Sequence, residues 1–235
     1  MAEVPIMIFL FWRLLRILDN RGLNAALELD IPVLPIFIFD KQILDDLEDR
    51  DDARLTFIHC KLKKINESLK EKGSGVKTFY GNPEEVWQAI LNDYSVKSVF
   101  TNNDYEPYAI NRDKDIKQLC QSKGVEFHSF KDHVIFEPNE ILKDDGTPYR
   151  VFTPYSKKWR SQLTDVHLES VPSALYFSNF YSSETRDIIA LEEMGFQTST
   201  LEIPSETVSE GTLKSYEEQR NFTAKKGTSK LGVHL

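Results

Sequence analysis

Two short stretches of this 235-residue chain carry the charged and planar side chains that could handle a ligand. Trp12-Arg13-Leu14-Leu15-Arg16 follows the first apolar run, and Asn102-Asn103-Asp104-Tyr105-Glu106-Pro107 follows the fourth. Phe37-Ile38-Phe39 closes the second apolar run, and Arg54 stands early in the helical pattern after it. Guanidinium groups, carboxylates and an aromatic wall together suit a planar ligand with a polar edge, because pockets are mostly apolar with a few oriented polar groups. The same residue types also build ion-pair networks that merely hold loops together, and sequence leaves both readings open.

Other chemistries lack their parts. No Gly-x-Gly-x-x-Gly follows the first apolar run and no Gly-rich loop ends in Lys-Ser or Lys-Thr, so the backbone donors that cradle a dinucleotide or triphosphate are missing. No Gly-x-Ser-x-Gly elbow occurs, and neither Cys60 nor Cys120 has a recognisable neighbouring base. His59, His128, His133, His167 and His234 show no helical i, i+4 pairing and no Cys at ligand spacing, so no metal site is expected. Glu192-Glu193 and Glu217-Glu218 read as solvated helix faces. No catalytic residue is assigned in this chain.

Composition sets the outer limits. With 40% hydrophobic and 28% charged residues the chain should fold as a soluble globular protein. A formal charge of -8 argues against a surface that grips phosphates throughout, since non-specific nucleic-acid affinity comes from Lys and Arg displacing counterions. Cys60 and Cys120 lie in amphipathic stretches without paired spacing and read as reduced core thiols. The opening run Met1 to Trp12 lacks a basic leader, is broken by Glu3 and Pro5, and falls short of the roughly 20 residues needed to span a bilayer. It reads as a strand, with no membrane contact and cytoplasmic residence.

The elements that must position these residues alternate in the manner of βαβ units, which predicts an α/β fold with a parallel sheet. Strands are expected at Ile6–Trp12, Pro32–Asp40, Val76–Tyr80, Val96–Thr101 and Val125–Phe130, the second apolar enough to be covered on both faces. The clearest helix carries Leu55, Ile58, Leu62, Ile65 and Leu69 at three- and four-residue spacing, with Lys61, Lys63, Lys64 and Glu67 outside and Gly73 and Gly75 at its end. Asn82-Pro83 opens the next helix. Asp144-Asp145-Gly146-Thr147-Pro148 is a turn by composition, and the aromatic stretch ending near Trp159 reads as a cap on the sheet. The stretch from Thr164 to Tyr181 has no period and reads as linker, followed by helices near Ser183–Met194 and Val208–Asn221. If the strand order is 3-2-1-4-5, the loops after strands one and four face each other at the switch point, where open α/β sheets bind ligands.

The blocks themselves resemble a family. Arg13, Leu15, Arg16, Ile17, Asp19 and Asn20 are similar to the opening Trp-Phe-Arg-Arg-Asp-Leu-Arg-Leu-x-Asp-Asn of photolyases and cryptochromes, with Trp12 in place of its first Arg and Leu14 in place of Asp. Asn102 to Ala109 with Arg112-Asp113, and Asp145-Gly146-Thr147-Pro148-Tyr149-Arg150-Val151-Phe152-Thr153-Pro154-Tyr155, match the same family. Tyr216 to Phe222 and Gly227-Thr228-Ser229-Lys230-Leu231 resemble the start of its helical FAD-binding domain, with Gly232 replacing a serine.

The resemblance implies a photolyase-type α/β antenna domain over residues 1–163, of Rossmann-like doubly wound topology. It further implies a linker over 164–207 and the start of a helical FAD domain over 208–235, with the rest of that domain missing. Tyr216, Thr228, Ser229, Lys230 and Leu231 would touch FAD. Arg13, Phe37, Ile38, Phe39, Arg54, Asp104 and Glu106 would touch an antenna chromophore of flavin or deazaflavin type. A folate antenna is disfavoured because Tyr108-Ala109 replaces the Asn-Glu of folate-holding members. The whole protein would be a monomer that repairs cyclobutane pyrimidine dimers in damaged DNA, with the chemistry belonging to FAD. A cryptochrome, a signalling flavoprotein on the same scaffold, is the alternative, and a nucleotide-binding α/β module a more distant one. The chain alone is expected to bind no FAD and repair nothing. Equilibrium dialysis with FAD checks this, and tight stoichiometric uptake would overturn it.

Overall fold

The computed structural model describes residues 4–182 and 187–233. Five strands, β1 (Ile6–Phe11), β2 (Val33–Asp40), β3 (Lys77–Gly81), β4 (Val96–Asn102) and β5 (Glu126–Phe130), form one parallel sheet in the order β3-β2-β1-β4-β5. Between and after them lie α1 (Arg21–Leu27), α2 (Lys41–Asp45), α3 (Ala53–Lys70), α4 (Pro83–Asp93), α5 (Pro107–Ser122), α6 (Phe152–Gln162) and α7 (Glu210–Gln219).

Side chains alternate across a strand, so the wholly buried β1 and β2 feed two cores. Phe9, Phe11, Phe37 and Phe39 pack with Leu23 and Leu27 of α1 and Leu55, Leu62 and Leu69 of α3 on one face. Ile8, Leu10, Ile36 and Ile38 pack with Trp87 and Ile90 of α4 and Ile116 and Cys120 of α5 on the other. The expected helix ends hold. The Ser74 amide reaches back to Leu69 O at 3.0 Å past Gly73, whose φ of 73° needs a residue without Cβ strain. Asn82 caps α4 by accepting from the Glu84 amide at 3.0 Å, with Pro83 where no amide partner is needed. Among the described residues no helix is long and apolar enough to cross a membrane.

Four expectations are corrected. The predicted helix near Ser183–Met194 is absent over 187–191, where the only helical turn is the 3-10 segment Glu192–Met194, ended by Gly195 at φ 80°; residues 183–186 lie outside the described residues. Outside the local turn from Leu191 to Phe196, the backbone there bonds to the body. The amides of Ile189, Gln197 and Ser199 donate to Thr78 Oγ1 (3.1 Å), Arg50 O (2.7 Å) and Thr56 Oγ1 (2.9 Å), and His59 Nε2 sits 3.0 Å from Ile189 O.

The stretch expected as a linker is strapped down. The Tyr181 amide donates to Val33 O at 2.8 Å, Asn179 Nδ2 donates to Leu27 O at 2.9 Å, and Phe180, Ile188, Leu191, Met194 and Phe196 join the first core. Helix α6 does not cap the sheet. It buries no residue, leaves Phe152 exposed, and touches the loop after β5 through Trp159 against Phe136, ring centres 5.4 Å apart. Cys60 is exposed on α3, while Cys120 is buried and its thiol is pushed up to about 11 by desolvation.

Two outcomes are expected from the strap. Phe180→Ala should lower the unfolding free energy by about 3 kcal/mol, the ordinary cost of emptying a buried aromatic site. A urea titration showing an unchanged midpoint would make the strap dispensable. Burial lowers the His59 pKa below its ordinary 6.5, against a smaller opposing pull from the Ile189 carbonyl. The unfolded chain therefore takes up a proton that the folded chain refuses, and stability present above that ordinary pKa is lost as pH falls towards the folded value. The stability difference between wild type and His59→Gln should accordingly shrink between about pH 7.5 and about pH 5.

Candidate ligand groove at the carboxyl ends of the strands

Strands β1 and β4 are neighbours at the point where strand order reverses, and the loops leaving them are tied by the amides of the buried Asn20 and the half-buried Asn102. Asn20 caps α1, its Oδ1 accepting from the Leu23 amide and from Asn102 Nδ2, both at 3.0 Å, while its Nδ2 donates to Arg16 O at 3.0 Å. Asn102 Oδ1 in turn accepts from the Gly22 amide at 3.0 Å. A Cβ on Gly22 would stand 2.5 Å from that oxygen and 3.0 Å from Thr101 O, so only glycine lets α1 start this close to β4.

On this base the charged residues of the two loops meet. Arg13 Nε donates to Asp104 Oδ2 at 2.7 Å, and Arg13 Nη2 lies 3.3 Å from Glu106 Oε1. The Asp104 side chain is 7% exposed and that of Arg13 44%, so the carboxylate is the desolvated partner. Asp104 Oδ1 also accepts the Glu106 amide at 3.0 Å, and the guanidinium lies over the Tyr105 ring at 5.6 Å. Convergence of the two loops is therefore present, and part of it is structural.

Space, however, is not where convergence alone would put it. Directly between the loops, bordered by Trp12, Leu14, Asn102, Asp104 and His133, there is only about 10 Å³, the room of one water. A groove of about 880 Å³ opens beside it, over the ends of β1 and β2, walled by α2, α3 and the start of α5. Its apolar side holds Phe37 and Phe39, ring centres 4.9 Å apart, with Ile38, Leu55 and Ile58. Its other side holds Arg13, Asp104, Glu106, Tyr108 and Arg112.

Trp12, Arg13 and Asp104 border both spaces, and of the two Arg112 lines only the groove. The Arg112 guanidinium stacks on the Trp12 ring at 3.5 Å, and its Nε donates to Asp113 Oδ1 at 3.0 Å. Burial pushes the Asp113 carboxyl up, with Arg112 pulling it back down. Trp12 Nε1 is buried without a hydrogen-bond partner among the described residues. Tyr108 donates to Asp40 Oδ2 at 2.5 Å and lies 2.9 Å from Gln42 Oε1. Desolvation first and the Asp40 carboxylate second raise its phenol far above the ordinary value, so it stays a neutral donor.

Of the residues expected to contact an antenna chromophore, the structure brings Arg13, Phe37, Ile38, Phe39, Asp104 and Glu106 to one groove and leaves Arg54 out. Arg54 is held by Asp52, Nη2 to Oδ2 at 2.6 Å, with its side chain 76% exposed. Asp52 caps α3 and thus sits two residues before Arg54, near enough to claim the guanidinium. Gln42, Tyr108 and Arg112 were not singled out by sequence as groove residues. The i, i+4 spacing of Tyr108 and Arg112 on α5 was the available signal, since it puts both on the helix face that carries Ala109. The residues expected to touch FAD lie apart. Tyr216 is on α7 beneath the Arg220 guanidinium at 5.6 Å, and Thr228 and Lys230 are exposed in the turn after Gly227, which packs against Gln219.

Residues 7–174 match the family described as DNA photolyase. The deoxyribodipyrimidine photo-lyase of Halobacterium salinarum is 27% identical over 248 residues, which cover 96% of this chain and 51% of the relative. A bacterial class III photolyase from Agrobacterium tumefaciens shares the fold with a TM-score of 0.76 at 24% identity, covering 98% of this chain and 50% of that one. An archaeal photolyase from Sulfolobus tokodaii, whose structure holds two FAD molecules and implies a novel light-harvesting cofactor, gives a TM-score of 0.69 at 23% identity, covering 97% and 51%. The chain spans about half the length of these relatives.

Arg13→Ala strands the desolvated Asp104 carboxylate and is expected to cost about 1–3 kcal/mol in unfolding free energy. Adding Asp104→Asn should restore part of that loss, because a neutral amide tolerates the site better than an unpaired charge. A double-mutant cycle without coupling would show that the pair contributes nothing to the loop clamp.

Proposed function

The chain belongs to the DNA photolyase family, and from that premise we propose that residues 1–163 are a light-harvesting antenna domain whose groove holds a flavin-type chromophore. The carrying observation is the shape and lining of the groove. Ligand pockets run about 300–1,000 Å³, and a space of about 880 Å³ with edge-to-face aromatics on one side and a guanidinium-carboxylate edge on the other fits a tricyclic ring with polar atoms along one rim. The bound chromophore would absorb light and pass on its excitation energy.

This chain's residues would do the positioning. Phe37, Ile38 and Phe39 offer apolar surface to the ring, and Arg13 presents a donor whose direction is fixed by Asp104 and Glu106. The neutral Tyr108 hydroxyl and the Arg112-Trp12 stack close the wall on the α5 side. Arg54, tied to Asp52, makes no contact in this arrangement.

The whole protein, on this reading, repairs cyclobutane pyrimidine dimers in damaged DNA with light and FAD, as a cytoplasmic monomer. Two free cysteines suit a reducing compartment. Residues 164–207 would join the antenna domain to a helical FAD domain beginning near 208. Tyr216, Thr228, Ser229, Lys230 and Leu231 would hold FAD along one edge only, since Thr228 and Lys230 lie in the open and a cofactor of that size needs most of its surface enclosed.

Lumiflavin, the bare flavin ring, tests the groove directly. Titration of the purified chain should quench flavin fluorescence with saturation, Arg13→Ala should weaken binding about ten-fold through loss of a charge-assisted hydrogen bond, and Arg54→Ala should leave it unchanged. Equal binding by wild type and Arg13→Ala, or protein isolated from its native host with a folate alone, would sink the proposal.

A further inference from the structure

We propose that a second, smaller cleft, between α4 and α5, binds a small zwitterion: an aliphatic α-amino acid, with its carboxylate and its protonated amine on one carbon. The inference is independent of what occupies the larger groove.

Helices α4 and α5 share the second core through Trp87, Ile90, Ile116 and Cys120. Both begin at the carboxyl rim of the sheet, after β3 and β4, and between them lies a cleft of about 190 Å³. From α5 it is lined by Tyr108, Asn111, Arg112, Asp115, Ile116 and Leu119, one face of the helix at three- and four-residue spacing. From α4 it is lined by Pro83 and Glu84 of the first turn, with the capping residue Asn82. The Tyr108 hydroxyl lies 2.9 Å from Gln42 Oε1, and both residues border the cleft and the groove, so this pair forms part of the wall between the two.

The charges of the cleft are unbalanced in a particular way. The Arg112 side chain is only 7% exposed, with its Nε on Asp113 Oδ1 and its face on Trp12. Its Nη2 is 2.9 Å from that same Asp113 oxygen but out of line with it, and has no hydrogen-bond partner among the described residues. A buried donor without an acceptor is costly, so an incoming carboxylate oxygen would be favoured at this atom. Glu84 and Asp115 are exposed and make no ion pair among the described residues; Glu84 Oε1 accepts only a long 3.4 Å bond from Gln88. They would attract an ammonium group.

Single charges do not satisfy this lining. A plain anion answers Arg112 but meets two unpaired carboxylates, and a plain cation answers the carboxylates but leaves Nη2 without an acceptor. A zwitterion answers both. Pro83, Ile116 and Leu119 give apolar surface to a short aliphatic side chain. The volume lies below the roughly 300–1,000 Å³ of sites for drug-sized ligands, which favours a molecule of amino-acid size over a nucleotide.

L-Valine and its two halves, isobutylamine without the carboxylate and isovalerate without the amine, supply the test. Titration of the isotope-labelled chain with L-valine should give saturable NMR shifts at the amides of Glu84, Asn111 and Asp115. Each half should bind about ten-fold more weakly or worse, the worth of one charge-assisted contact. Glu84→Gln combined with Asp115→Asn should abolish L-valine binding without weakening isovalerate. Prior saturation with lumiflavin should leave the L-valine affinity unchanged. No saturable shift with L-valine, or either half binding as tightly, would overturn the proposal, as would loss of the shifts in lumiflavin, which would put valine in the groove. Failure of lumiflavin alone would strike the antenna reading and leave this one standing.

Discussion

The carboxyl ends of β1 and β4 are joined by the amides of Asn20 and Asn102, and the site depends on that joint. A buried amide left without partners costs more than a paired one returns, so the arrangement that satisfies both side chains is strongly favoured over near alternatives. Each of the two makes its bonds to a different piece of chain: the Arg16 carbonyl, the Leu23 amide, the Gly22 amide and each other. The loop after β1 is thereby fixed in height above β4, which is what brings Arg13 within 2.7 Å of Asp104.

The joint also explains why the ligand space is displaced. With both loops drawn together, Trp12 is pressed between them and β2, Arg112 lies flat on its ring, and the gap over the switch point shrinks to the size of a water. Room is left only where α2 and α3 diverge from the ends of β1 and β2. Where the family pattern has an arginine, this chain uses an indole. Leu14, in the place of a carboxylate, borders the water-sized gap rather than the groove. The sequence change that removes charge from the loop therefore acts by filling space at the switch point.

The chain beyond Thr164 shows the same competition between local and distant partners. Ile188, Leu191, Met194 and Phe196 all join the first core, and the amides of Ile189, Gln197 and Ser199 bond to Thr78, Arg50 and Thr56. A helix there would have kept those amides to itself and left the hydrophobic side chains pointing round a cylinder. Helix α6 is the converse case. None of its residues is fully buried and its Trp159 packs on a loop, so its aromatic content was misleading as a sign of a cap.

The residues by themselves determined the five strands, their parallel order, the helix ends at Gly73 and Pro83, and the meeting of Arg13 with Asp104 and Glu106. These follow from side-chain period, from capping chemistry confined to a few neighbouring residues, and from the rule that ligands sit at the reversal of an open sheet. Tertiary structure alone decided that Arg54 turns to Asp52, that Trp12 closes the switch point, that Tyr108 and Arg112 wall the groove, and that residues 171–182 and 187–199 strap the body. Each of those outcomes is a choice between a local and a distant partner of similar strength. Such a choice depends on how far apart the elements stand after packing, a distance that no pattern along the chain records.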